Sequence, residues 1–249
     1  MALITIGSLA QFSVEPTERA AAALPRADEV DNFGVLAEVT REAPAEVFRL
    51  AVSPEPRGLA VASLRLEKGF QNFLARVLHK TSDVYFLTWC WDMSGGPASL
   101  YPGSVADPAG ALIPMKGGEL REFIGAGAVL FPARPVTAGL AMRMQIWESA
   151  QGVRQFGQTM SAVAQTIQQS RLNSLLTLVA TATGVATTTI ALVEQAALEL
   201  GRVIGDILKA SSDDYVDFYE GYFPASQPWT DGQMAYKGHA SEIVLNKFR

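Results

Sequence analysis

The stretch "LNSLLTLVATATGVATTTIALV", residues 172–193, decides how the second half of the chain folds. It contains no charged residue, and its length reaches the roughly 20 residues that a helix needs to cross a bilayer. Six of its residues are threonines, and Asn173, Ser174 and Gly184 dilute the apolar content further. We therefore predict that this stretch is not a permanent membrane anchor.

The sequence on either side of "ATATG" (180–184) has the spacing of two amphipathic helices. Apolar residues recur every three or four positions, which places them on one face of a helix. They are Val153, Phe156, Met160, Val163 and Ile167 in the first helix, and Ile190, Val193, Ala197, Leu200, Ile204 and Ile207 in the second. Threonine and glycine in "ATATG" lower helix propensity enough to permit a turn. Two helices of about 25 residues each reach about 40 Å, and this matched length favours an antiparallel hairpin.

Short segments of alternating apolar residues, separated by proline and glycine, predict β-strands before and after the helices. The strongest is "DVYFLTWCWDMSGGP" (83–97), which we expect to be a buried central strand. In "GLAMRMQIWES" (139–149) one face is apolar and the other is mixed. The remaining predicted strands are 32–41, 46–54, 58–66, 126–136, 214–224, 232–238 and 241–248. Residues 70–80 fit either a short helix or a strand.

These elements predict an α+β fold with a single domain over residues 1–249. Residues 1–148 and 213–249 are expected to form an antiparallel β-sandwich. Residues 150–211 form the helical hairpin, inserted between the late strands. The sequence contains no internal repeat.

Nine apolar residues near the tip of the hairpin are the candidate contact residues. Three interpretations remain open: the tip packs against the β domain or another subunit, it enters a bilayer after a trigger, or it lines a groove for a lipid or another apolar ligand. The membrane or oligomer contact residues are Leu172, Leu175, Leu176, Leu178, Val179, Val185, Ile190, Leu192 and Val193.

Composition narrows the partners and the compartment. The formal charge of −5 argues against a nucleic-acid partner, because it gives little attraction to phosphate. The lone Cys90 is surrounded by apolar residues and is expected to be a buried structural residue. The N-terminus has no basic segment before its apolar residues, so we expect a soluble cytoplasmic form. A leaderless export route or membrane association would leave no trace here.

Residues that usually carry catalysis are scarce. The two histidines, His79 and His239, are expected at the surface, and no G-x-S-x-G motif occurs. Gly125 and Gly127 lack the rest of a dinucleotide-binding motif and are expected to permit a bend in a strand. No cofactor is predicted other than calcium, for which oxygen ligands are available. The candidate calcium ligands are Asp92, Asp213, Asp214 and Asp217, with Glu220 close by in sequence.

Aromatic residues are dense near the C-terminus. On a regular strand Tyr215, Tyr219 and Phe223 share one face, and Phe218 and Tyr222 share the other. We expect most of them in the core, with a partner surface as the alternative.

Together these features favour a non-enzymatic interaction and assembly protein. It would use the apolar-tipped hairpin for oligomerisation and, after a trigger, for membrane insertion, as pore-forming or effector proteins do. The alternatives are a hydrolase whose site is assembled from distant segments, and a β-sandwich module that binds calcium or lipid. Self-association is the expected partnership.

Overall fold

The computed structural model describes residues 4–6, 47–67, 81–103, 108–150, 153–181, 185–211 and 213–249. Its first strands are β1 (Ile4–Ile6), β2 (Val47–Phe48), β3 (Arg57–Leu66), β4 (Ser82–Trp91), β5 (Ser99–Tyr101), β6 (Ile113–Met115), β7 (Leu120–Glu122), β8 (Ala128–Arg134) and β9 (Gly139–Ser149). The later strands are β10 (Val185–Ala186), β11 (Asp214–Pro224), β12 (Gly232–Lys237) and β13 (Ser241–Phe248). The helices are α1 (Pro108–Ala111), α2 (Val153–Gln168), α3 (Arg171–Thr181) and α4 (Thr187–Ala210).

The strands form two main sheets. In the first sheet the order is β1-β11-β9-β4-β5, and β6 also pairs with β4. In the second sheet the order is β12-β13-β3-β7, and β8 also pairs with β3. Every pair is antiparallel except β1 with β11, and β2 and β10 form a separate antiparallel pair. The mixed α+β class predicted from the sequence is therefore confirmed.

The two faces of the first sheet bury different partners. Alternate residues of a strand point to opposite faces, and along β4 Val84 and Phe86 belong to a buried cluster that also contains Leu59 and Ile243 of the second sheet. Leu87 and Trp89 belong instead to a cluster with the apolar faces of α2, α3 and α4. The first sheet therefore lies between the second sheet and the helices.

Most predicted strands are confirmed, including the buried central strand, which is β4. The segment 46–54 is shorter than predicted, with a two-residue β2 and a single bridge at Val52. The predicted strand 32–41 and the ambiguous segment 70–80 lie outside the described residues. The sequence between β4 and β8 adds short strands that periodicity missed, because strands of three residues are too short to show alternation.

The predicted first helix is interrupted after Gln168. Ser170 Oγ donates to the carbonyl oxygen of Ile167 at 2.7 Å, and Asn173 Nδ2 donates to the same oxygen at 2.8 Å. These polar side chains replace the backbone partners of a continuous helix and allow α3 to begin as a separate helix. Ser170 is therefore the sequence signal for the break between α2 and α3. The spacing of the apolar residues alone does not show this break.

A second interruption of the helices falls at the position of the predicted turn, of which residues 182–184 lie outside the described residues. Helix α3 ends at Thr181 and α4 begins at Thr187, with β10 between them. In the described part of the chain, no helix is both long enough and apolar enough to span a membrane. Phe156, Val163 and Ile167 of the first predicted apolar face are buried, as are Ile190, Val193, Ala197, Leu200 and Ile204 of the second.

A buried arginine connects the second sheet to the end of the first. Arg57 begins β3, and its Nη1 donates to the carbonyl oxygen of Pro224 at 2.6 Å. Its Nη2 donates to the carbonyl oxygens of Ala225 and Gln227, each at 2.6 Å. Burial lowers the pKa of Arg57, while Tyr222 and Glu55 oppose this shift. The guanidinium thus fixes the loop after β11 against β3.

A buried aspartate holds the turn between β12 and β13. Asp217 Oδ2 accepts hydrogen bonds from the backbone N–H groups of Ala240 and Ser241 and from Ser241 Oγ, at 2.9–3.0 Å. A side chain at Gly238 would collide with this carboxylate, so the close approach requires glycine. The carboxylate therefore fastens the hairpin of the second sheet to β11 of the first.

Candidate functional site

The helix-facing side of the first sheet carries a row of polar and charged side chains among apolar ones. Trp89 of β4 lies opposite Arg143 of β9, which lies opposite Glu220 of β11. Arg143 and Glu220 form an ion pair, and both are almost completely buried. We call this row, which consists of Trp89 and the ion pair of Arg143 and Glu220, the charged row.

Helix α4 places a third charge at this row. Glu194 is half-buried and interacts electrostatically with Arg143 and Glu220. Burial, and then the negative charge of Glu220, raise the pKa of Glu194, whereas Arg143 acts to lower it. Burial likewise lowers the pKa of Arg143, and the two glutamates act in the opposite direction. The guanidinium of Arg143 thus forms an ion pair with Glu220 and also interacts electrostatically with Glu194 of the helix.

Polar contacts continue along the same face. Gln145 Nε2 donates to the carbonyl oxygen of Gly201 in α4 at 3.1 Å, and Trp147 Nε1 donates to Gln145 Oε1 at 3.2 Å. A Cβ at Gly201 would lie 3.2 Å from Trp89 Cζ2, which shows how closely the helix approaches the indole ring. These contacts fix α4 over the centre of the sheet.

Three buried N–H donors on this face have no hydrogen-bond partner among the described residues. They are Trp89 Nε1, Trp91 Nε1 and Arg143 Nε. A buried donor without a partner costs about 1–3 kcal/mol. The helix-to-sheet contact is therefore less favourable than an apolar contact of the same size would be.

The structure buries most of the predicted contact residues within the chain itself. Seven belong to the cluster between the helices and the first sheet: Leu172, Leu175, Leu176, Val179, Val185, Ile190 and Val193. Leu178 and Leu192 are half-buried. In this state their apolar surface is covered by the first sheet and by neighbouring helices.

The predicted calcium ligands are not brought together. Asp92 accepts hydrogen bonds from Ser94 and from the backbone of Thr137, while Asp213 accepts one from Tyr85 at 2.7 Å. Asp217 holds the turn before β13, and Asp214 is exposed. The described residues include no group of three or more His, Cys, Asp or Glu side chains that could hold a metal ion.

The other candidate groups have structural surroundings. His239 is exposed on the turn before β13, and His79 lies outside the described residues. Gly125 and Gly127 lie in the turn between β7 and β8 and not, as predicted, in a bend within a strand. Gly127 has φ +100°, and a Cβ there would collide with the carbonyl oxygen of Val61, so this turn requires glycine. Cys90 is buried, and burial raises the pKa of its thiol, so the thiol stays protonated and unreactive.

One aromatic residue lies on the face opposite to the predicted one. The pairing of β11 with β9 shifts between Tyr215 and Asp217, which is the mark of a β-bulge. The extra residue turns Tyr215 toward Trp147, with ring centroids 5.3 Å apart. Tyr219 and Phe223 share one face, as predicted, and this face meets the second sheet, whereas Tyr222 lies on the opposite face, toward the helices.

Sequence reasoning did not identify the charged row as a site. Its signals are present: Arg143 and Gln145 interrupt an apolar strand, and Glu220 interrupts an aromatic one. Charged residues in strands that are buried on both faces are rare unless they are paired. Their pairing became visible only when the register of β9 and β11 was known.

A pH-dependent stability is expected from Glu194. Because its pKa is raised in the folded protein, its stabilising contribution is complete below the unfolded value of about 4.3 and is lost as pH rises through the folded pKa. The difference in free energy of unfolding between wild type and Glu194→Gln should therefore fall from pH 4 toward pH 7. Denaturant titrations across this range measure it, with Glu199→Gln on the exposed face of α4 as the control. A difference that rises with pH would contradict this environment for Glu194.

Comparisons with known proteins give little guidance. The chain matches no protein-family model and no curated protein sequence. Among solved structures it is similar to human GIVD cytosolic phospholipase A2 in complex with methyl gamma-linolenyl fluorophosphonate inhibitor and terbium chloride. The two share 7% sequence identity at a TM-score of 0.31, and the match covers 80% of this chain but 18% of that one. A similarity this distant carries no argument about function.

Proposed function

We propose that the chain is a non-enzymatic interaction and assembly protein. In this proposal the two main sheets form a β-sandwich in a single domain, and α2 to α4 form a helical segment inserted between β9 and β11. The buried cluster that contains side chains of both sheets supports the sandwich. The helices lie between β9 and β11 in the chain, and these two strands are neighbours in the first sheet. This position supports the insertion.

The observation that carries the proposal is the charged row beneath α4. Apolar residues of similar volume often stabilise a protein as well as a buried ion pair does, or better. A surface whose only task was to hold the helices would therefore gain nothing from Arg143 and Glu220. We expect this surface to hold the helical segment in one arrangement and to release it when the charges are resolvated.

Release would expose the apolar faces of α3 and α4, which include Leu172, Leu176 and Val193. A threonine hydroxyl group on these helices can form its hydrogen bond within its own helix. Thr177 Oγ1, for example, donates to the carbonyl oxygen of Asn173 at 3.0 Å. Such a surface suits another copy of the same helices or the interface of a bilayer. Oligomerisation and triggered membrane contact are then two results of the same exposure.

The test weakens the helix-to-sheet contact from the sheet side, which leaves the helices unchanged. Leu87 is buried against the helices, whereas Ile146 of the same sheet is buried against the second sheet. Each substitution by alanine should cost about 2–5 kcal/mol of stability. We expect Leu87→Ala to increase dye leakage from phosphatidylcholine–phosphatidylglycerol vesicles, and Ile146→Ala to leave leakage at the wild-type level.

Two further outcomes decide against the proposal. Equal leakage from both variants would show that global unfolding, rather than release of the helices, exposes the apolar surface. Absence of leakage from both, together with a monomeric mass by light scattering at every concentration, would contradict an assembly or membrane role altogether.

A further inference from the structure

The edges of the two main sheets differ in how they are protected from pairing with another strand. Edge strands expose unpaired backbone groups, and short length or proline prevents their pairing. Among the described strands, the edge strands β1, β5, β6 and β7 have three residues each. The edge strand β8 is longer but contains Pro132.

Strand β12 is the exception. It has six residues, "GQMAYK", without a proline, and among the described strands it pairs only with β13. Five of its residues are exposed and Tyr236 is half-buried. The apolar side chain of Met234 is 53% exposed. No described strand therefore pairs with the outer edge of β12 at any point along its length.

The register of β12 shows which backbone groups face outward. Gly238 N–H donates to the carbonyl oxygen of Ser241 at 2.7 Å, so the backbone of Gly238 faces β13. The pairing of β12 with β13 has no register shift, and hydrogen-bonding direction alternates along an antiparallel strand. Gln233, Ala235 and Lys237 therefore direct their N–H and C=O groups away from β13.

We infer that two copies of this chain pair through β12, edge to edge and antiparallel, about a two-fold axis at Ala235. This inference goes beyond the proposed function, since it places a further assembly surface on β12 that is available while the helices remain on the first sheet. The two-fold register joins Ala235 to its copy and Gln233 to Lys237 of the other copy. Three hydrogen-bonded positions of this kind supply about six backbone hydrogen bonds.

The side chains are compatible with this self-pairing. Small Ala235 residues meet at the axis, and the positive charge of Lys237 lies opposite neutral Gln233, so no like charges oppose each other. On the other face Met234 lies opposite Tyr236 of the second copy, and a thioether packs favourably against an aromatic ring. Within one chain Tyr236 already donates to Met234 Sδ at 3.0 Å, which shows that the two side chains are suited to contact.

The test measures the mass of the full chain by light scattering from about 1 µM to about 1 mM. We expect a dimer that Ala235→Pro abolishes, because proline removes an outward N–H that β13 does not use. Ala235→Ser keeps that N–H and should keep the dimer. Far-ultraviolet circular dichroism establishes that both variants are folded.

A second variant keeps the inference testable should the proline variant fail to fold. In a hydrogen-bonded antiparallel pair the two Ala235 Cα atoms lie about 5.5 Å apart, which a disulfide can span. Oxidation of Ala235→Cys should yield a covalent dimer, while Ile124→Cys, at the most exposed of the large apolar residues described, should not. An oligomer unchanged by Ala235→Pro, or no cross-link at Ala235→Cys, overturns the β12 pairing and leaves the proposed function standing. A wild-type chain that is monomeric throughout also overturns the pairing, whereas the proposed function is tested separately by dye leakage with Leu87→Ala and Ile146→Ala.

Discussion

Replacement of Glu220 by alanine is expected to lower the free energy of unfolding by about 3–5 kcal/mol. The substitution leaves the guanidinium of Arg143 buried in the first sheet without its ion-pair partner. Glu194 is half-buried on α4 and can compensate only in part. Denaturant-induced unfolding measures the loss, and Glu122→Ala on the exposed edge strand β7 is the control, with an expected change within about 0.5 kcal/mol.

A double substitution separates the ion pair from simple loss of packing. Arg143→Met combined with Glu220→Leu removes both charges and keeps similar volume, so most of the stability should return. If the double variant is as unstable as Glu220→Ala, the charges are not the cause of the loss. Vesicles treated with the double variant should also lose less dye than vesicles treated with wild type, because the helices of the double variant lie on an apolar surface.

The second large effect is expected at Arg57. Arg57→Met removes the donors to three carbonyl oxygens, each at 2.6 Å, at the end of β11 and in the loop that follows it. We expect a loss of about 3–5 kcal/mol. Hydrogen bonds to charged groups are worth about 1.5–3 kcal/mol each, but methionine also avoids the cost of burying a charge, which offsets part of the loss. Differential scanning calorimetry or denaturant titration measures the loss.

Two variants serve as controls for Arg57. Arg65→Met lies on the same strand but is exposed, and it should change stability by less than about 0.5 kcal/mol. Arg57→Lys should recover only part of the loss, because one ammonium group cannot reproduce a planar fork of donors. Full recovery by lysine would show that the charge alone, and not the planar geometry of the Arg57 guanidinium, holds the loop after β11.

Periodicity predicted the elements of this fold because each depends on neighbouring residues. The three-and-four spacing from Phe156 to Ile167 and from Ile190 to Ile204 identified the buried faces of the helices. Alternation likewise identified β9, whose mixed face was visible in the sequence. What the pattern could not supply was the partner of that mixed face, since Arg143, Glu194 and Glu220 lie far apart in the chain.

Two local irregularities were also hidden from the pattern. The bulge next to Tyr215 changes the face of every earlier residue in β11, and no residue type announces it. The break at Ser170 depends on side-chain hydrogen bonds that serine forms in some helices and not in others. Both cases show that one residue can redirect an element whose overall period is correct.

Strands β9 and β11 are direct neighbours in the first sheet, although three helices separate them in sequence. In topological terms β9 and β11 form one β-hairpin, and the segment between Ser149 and Asp214 is its connecting loop. Such a loop can be lengthened, shortened or exchanged without rethreading the remaining strands. We expect that any replacement of the helical part must cover the face of the first sheet that contains Leu87 and Trp89.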